Sequence, residues 1–205
     1  MNFKGMMNFK RIAQCVVCAS GLILVVPMWS AEKDAKSPKE DLRVEQLRNF
    51  FLAQRSPLAK HAEARGVTIC IEPLNRFETD FLNTCDQGMK LIKAIGSPAV
   101  KLHLDTFHMN IEEKDSGVAI RKAGKYLGHF HACGSDRGTP GGDHTDWPSI
   151  VKALKAIGYQ GDVVIESFTT DVKVIARAAA IWRKIEPRRN DIAINGLKFL
   201  RRALR

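Results

Sequence analysis

A chain of 205 residues, 45% hydrophobic and 26% charged, has the composition of a folded globular protein rather than of a disordered or low-complexity one. Its net charge of +10 sits at the two ends: residues 1–31 carry three basic residues and no acid, and residues 183–205 carry eight against Glu186 and Asp191, which leaves +1 for residues 32–182. That near-neutral middle excludes a groove that tracks nucleic-acid phosphates, and five cysteines without framework spacing exclude a disulfide scaffold.

Residues 1–31 open with Lys4, Lys10 and Arg11 and continue through an apolar run at 12–29 to a charged stretch from Glu32. Basic start, apolar middle and abrupt polar end are the layout of a signal peptide or membrane anchor. Ala31 suits the residue before a cleavage point, whereas Trp29 stands where a small residue is wanted, so an uncleaved tether through residues 12–29 is the other form of the same expectation. The chain is then exported or anchored; a cytoplasmic chain with a fortuitous upstream extension is the alternative. Cys15 and Cys18 form a C-x-x-C inside this run with no second pair near it, which points to packing rather than to a metal.

Residues 32–56 read as a linker and a helix, and residues 57–205 as one domain. A broken apolar face over 42–65 predicts helix, interrupted at Ser56-Pro57 and closed by Gly66. From there strands and helices alternate: strand 67–72, helix 84–95, strand 100–105, a loop, helix 116–125, strand 126–131, a long loop, helix 148–157, strand 162–166 and helix 171–185. Glu186-Pro187 breaks that last helix before a final one at 190–204. Such alternation implies a parallel sheet.

Each strand-like run ends in a residue able to bind a metal: Glu72, Asp105, His131 and Glu166, spaced by 26 to 35 positions, one βα unit apart. In a barrel of such units the carboxyl ends of the strands converge on one site. Three carboxylates and one imidazole there suit a hard divalent cation. In step with these ligands, Thr68, Cys70, Lys101, His103, His129 and Val164 point inward, and Ile69, Ile71, Leu102, Leu104, Phe130 and Val163 face the helices. His103 and His129 therefore lie on the inner wall below the site, as core histidines. His61 reads as a helix-surface residue, and His144 and Asp146 as braces for the long loop.

The segments IEPLNRFET (71–79), LDTFHMNIEE (104–113), GHFHACGSDRGTPG (128–141), HTDW (144–147) and VIESF (164–168), in that order, resemble the sugar isomerase/epimerase family with a xylose isomerase-like barrel. Within it the chain is most similar to the ketose 3-epimerases acting on tagatose and psicose. The resemblance implies an α/β fold, a partial (β/α)8 TIM barrel of about four C-terminal βα units. It implies one Mn²⁺ or Co²⁺, or Mg²⁺, on Glu72, Asp105, His131 and Glu166. It implies that Glu72 and Glu166 also exchange protons with a ketose through a metal-stabilised cis-enediolate. Glu78, His108 and Arg137 fall where the family contacts the sugar. Two carboxyl groups flanking one carbon allow proton removal on one face and delivery on the other.

A complete barrel needs about 250 residues, so this chain holds half of one. Two open parallel edges predict pairing with a second copy that closes the barrel. The alternative function is a truncated, noncatalytic remnant or assembly partner of the same family. A DNA-repair endonuclease of the related barrel type requires more His and acidic ligands than these strand ends supply. No nucleic-acid partner is expected.

Overall fold

In the computed structural model the described residues are 57–205, together with the single helical residue Asn49. The expected signal or anchor segment, the Cys15–Cys18 pair and, apart from Asn49, the linker and helix at 32–56 lie outside the described residues.

The described elements alternate as the apolar pattern requires. Helix α1 (Pro57–Arg65) leads into strand β1 (Ile69–Ile71), followed by α2 (Cys85–Ile95) and β2 (Val100–Asp105). Two short helices follow, α3 (Thr106–Glu112) and α4 (Ser116–Ala123), then β3 (Leu127–His131) and α5 (Trp147–Ala156). Strand β4 (Val163–Val164), helix α6 (Lys173–Ala178) and helix α7 (Arg189–Ala203) complete the chain. The four strands form one parallel sheet in the order β1-β2-β3-β4, the arrangement of a partial barrel. His61 is exposed on α1, as its helical position suggests.

The sheet and helices share one core. Leu102, Leu104, Phe130 and Val163 point from the sheet toward Leu91, Ile92, Ile120, Ile150 and Leu154 of α2, α4 and α5, and all are buried. Helix α2 begins at a reciprocal capping box: Thr84 accepts from the Gln87 backbone N–H, and the Gln87 side chain accepts from the Thr84 N–H. It ends at Gly96, whose φ of 70° is the left-handed conformation that closes helices at glycine.

The strands are shorter than the apolar runs suggest. Strand β1 stops at Ile71 and β4 at Val164, so Glu72 and Glu166 stand just past the strand ends rather than on them. The segment 106–112, expected as loop, is a helix because the Asp105 side chain accepts from the Phe107 N–H and caps it. The helix expected over 171–185 ends at Ala178. Ala180 takes a φ of 54°, and the Ile181 N–H reaches back to the Ala176 carbonyl at 2.8 Å. An alanine in that conformation gives no sequence signal of a helix end.

One irregularity sets the phase of the site. Between β2 and β3 the pairing steps from Leu102↔Leu127 to His103↔His129, so Gly128 is the extra residue of a bulge. The bulge brings His129 opposite His103 and His131 opposite Asp105. A side chain at Gly128 would meet Lys101 Cβ at 2.7 Å and Cys70 Sγ at 2.8 Å. Gly128→Ala is therefore expected to destabilise the fold by about 1–3 kcal/mol through overpacking. Urea unfolding of the two chains measures this, and an unchanged midpoint would contradict it.

Candidate active site and metal centre

The seven residues singled out from sequence meet at the carboxyl ends of the strands. Asp105, on the last position of β2, is wholly buried and serves two roles. Its Oδ1 caps α3, and its Oδ2 accepts from Arg137 Nη1 at 2.6 Å. The same guanidinium nitrogen donates to Glu166 Oε2 at 2.9 Å. His131 Nδ1 lies 3.6 Å from Asp105 Oδ2 and 3.8 Å from Glu166 Oε2. Glu72 adds a buried Oε1 with no hydrogen-bond partner, 3.8 Å from His108 Nε2.

The charges are tightly interdependent. Burial pushes the Glu72 carboxyl well above the usual range, and the neighbouring Asp105 and Glu166 push it further. Burial alone would raise Asp105 too, but Arg137, His131 and His108 outweigh it and hold its carboxyl well below the usual range. At His131 burial opposes the charge, yet contact with Asp105 and Glu166 lifts the imidazole to about 9. Several acids packed against cations in one buried place are the electrostatics of a cation site.

Arg137 is held in place from every side. Its guanidinium carbon lies 4.0 Å from the centre of the Phe107 ring and 5.4 Å from that of Phe168. Its backbone has a φ of 66°, uncommon for a non-glycine residue. The Ser167 hydroxyl donates to the Arg137 carbonyl at 2.9 Å and anchors that turn. Arg137 is thus bound to the carboxylates of both Asp105 and Glu166.

His108 is buried with its Nδ1 accepting from the Asn75 backbone N–H at 3.1 Å. Its Nε2 lies 3.0 Å from Arg137 Nη2, a nitrogen that can only donate. Glu78, at the more exposed rim, joins the group through Asn75, whose side chain donates to Glu78 Oε1 at 2.8 Å. Sequence reading passed over Asn75, although a polar residue two positions after the Glu72-Pro73 strand end is a signal of a structured loop. It also passed over Thr106, whose hydroxyl accepts from the Cys133 N–H at 2.7 Å and donates to the Cys133 carbonyl at 2.6 Å. This exchange locks the loops after β2 and β3 together.

The long loop after β3 is ordered chiefly by Asp143, which accepts from the backbones of Gly141 and Thr145 and from the Trp147 indole. His144 contacts the Ser135 hydroxyl at 3.3 Å, and Asp146 caps α5 through the Ser149 N–H. His103 and His129 lie on the inner wall beneath the ligands, as their strand phase requires.

A parallel α/β sheet whose strand ends gather carboxylates, imidazoles and a buried arginine defines a barrel protein with its site at the carboxyl rim. The sequence pattern of the xylose isomerase-like TIM barrel family matches residues 10–203, and the chain belongs to that family. It is 49% identical over 131 residues to the probable ketose 3-epimerase of Synechocystis, covering 64% of this chain and 46% of that protein. It is 46% identical over 128 residues to the D-psicose 3-epimerase of Ruminiclostridium cellulolyticum, covering 62% of this chain and 44% of that one. Among solved structures, D-psicose 3-epimerase with D-tagatose from Clostridium cellulolyticum H10 superposes with a TM-score of 0.72 at 37% identity, over 87% of this chain and 61% of that chain. The chain spans about half the length of the curated relatives it matches.

Removing the arginine isolates the carboxylates. Arg137→Met is expected to destabilise the metal-free protein by about 3–5 kcal/mol, because the wholly buried Asp105 loses its closest cation. Chemical denaturation measures it; an unchanged midpoint would show that Arg137 does not neutralise Asp105.

Proposed function

We propose that the chain is a divalent-metal-dependent ketose 3-epimerase. The observation that carries the reading is the grouping of Glu72, Asp105, His131 and Glu166, one from each βα unit, in a chain similar to relatives named as ketose 3-epimerases.

The donor set fits a metal. Oxygens of Asp105 and Glu166 stand 3.6 Å and 3.8 Å from His131 Nδ1, a spacing that one ion with bonds of about 2.0–2.2 Å spans after small adjustments. Glu72 Oε1 and His131 Nδ1 are buried without hydrogen-bond partners, and a cation would satisfy both. Mn²⁺ or Co²⁺ suits three carboxylates and one imidazole, and Mg²⁺ is compatible. When bound, the ion would act as a Lewis acid toward the ketose carbonyl and the neighbouring hydroxyl.

The protein groups do the rest. Glu72 and Glu166 are the two carboxyl groups that would take a proton from carbon 3 on one face and return one on the other. Arg137, whose Nη2 lies 3.0 Å from His108 Nε2, would favour a nearby oxygen gaining negative charge. Glu78, tied to Asn75, supplies an acceptor for a sugar hydroxyl at the rim. The ring of Phe168 adds an apolar wall beside Arg137.

Among the described residues strands β1 and β4 are the sheet's two edges, and Val172, Val174, Ile175 and Trp182, in the segment after β4, expose large apolar surface. A second copy packed there would cover these edges and this apolar surface. Light scattering is expected to give a dimer; a monomer at micromolar concentration would count against it. The competing reading is a noncatalytic remnant or assembly partner of the same family.

Proton NMR in D₂O separates the readings. With Mn²⁺ the chain is expected to incorporate deuterium at carbon 3 of psicose or tagatose, and Glu72→Gln and Glu166→Gln are each expected to lower the rate by at least about 100-fold. Absence of exchange in a metal-loaded, folded chain would leave the remnant reading.

A further inference from the structure

We propose that His103 is a positioning residue that holds Glu72 and His131 in the orientation a cation requires; the inference rests on the metal reading of the site given above. His103 is wholly buried, and neither ring nitrogen has a hydrogen-bond partner among the described residues. A buried polar ring without partners costs free energy that an apolar side chain of similar size would avoid. The ring packs where its nitrogens have a use. Its Nδ1 stands 3.4 Å from Glu72 Oε2, and its centre lies 4.0 Å from that of His131, with the two planes 79° apart.

One side chain thus lies against two of the four groups assigned to the ion, from two different βα units. A small turn of the Glu72 carboxylate would let a His103 Nδ1–H donate to Oε2, leaving Oε1, the buried oxygen without a partner, free to face the site. The edge-to-face contact fixes the plane of the His131 ring. His129 completes a triangle of rings, its centre 4.8 Å from that of His103 and 5.0 Å from that of His131. The bulge at Gly128 sets this stack, because it pairs His103 with His129 and Asp105 with His131. Ligand-supporting groups of this kind change metal affinity by about 10–100-fold when removed.

The test uses the full chain and Mn²⁺ alone, with free Mn²⁺ read from its electron paramagnetic resonance signal. His103→Phe keeps a ring and removes both nitrogens, and His103→Met replaces it should phenylalanine unfold the protein. His103→Asn places an amide N–H near the position of Nδ1. The apolar variants are expected to weaken Mn²⁺ binding about 10–100-fold, with Asn restoring most of it while unfolding midpoints stay comparable. Parent-like binding by the apolar variants would overturn the inference, as would equal weakening without recovery by Asn. Absence of Mn²⁺ binding by the parent would overturn the metal reading of the site and this inference with it.

Discussion

The structure turns on bringing acids together where water is scarce. Asp105 is wholly buried, Glu72 and Glu166 are near enough to raise each other's cost of ionisation, and each comes from a different βα unit. Like charges in such a place persist only if a cation is among them. In the chain itself Arg137 fills that need, with one guanidinium nitrogen against both Asp105 and Glu166. Its cost is visible in the left-handed backbone at Arg137, held by Ser167 and flanked by two phenylalanine rings. The loop after β3, the N-cap at α3 and the Thr106–Cys133 lock all serve to place these charges.

Much of this was legible in the chain. Apolar runs ending at Glu72, Asp105, His131 and Glu166 gave the strand order, and strand phase put His103 and His129 on the inner wall. The three-dimensional closeness of Arg137 to Asp105 was not legible, because it depends on a turn adopted 32 residues further along the chain. Helix α3 was missed because it is short and begins at a residue already read as a ligand. Asp105 has two oxygens and uses one for each purpose. The early end of α6 was missed because Ala180 takes the position where glycine is the usual signal. Periodicity reports burial, whereas caps and left-handed turns depend on local hydrogen bonds that several residue types can make.

The chain spans about half the length of the ketose 3-epimerases it matches. The proposed ligand set lies entirely within four βα units, so the ion's groups require nothing from the rest of a barrel. Substrate enclosure is a different matter. Glu78 stands at an exposed rim, and the segment after β4 leaves Trp182 and Val174 largely in solvent. Under the proposed function, metal binding and turnover are therefore separable. The first depends on the strand ends, and the second on whatever covers the open edges.

The central claim is that four strand ends form one cation site within this chain. Its most direct test is calorimetric titration of Mn²⁺ into the full chain beside Asp105→Asn, which keeps the Oδ1 acceptor that caps α3 and removes the charge. The account predicts one equivalent bound by the parent and affinity lost in the variant, with both chains folded. No binding by a folded parent, or equal binding by the variant, would contradict it.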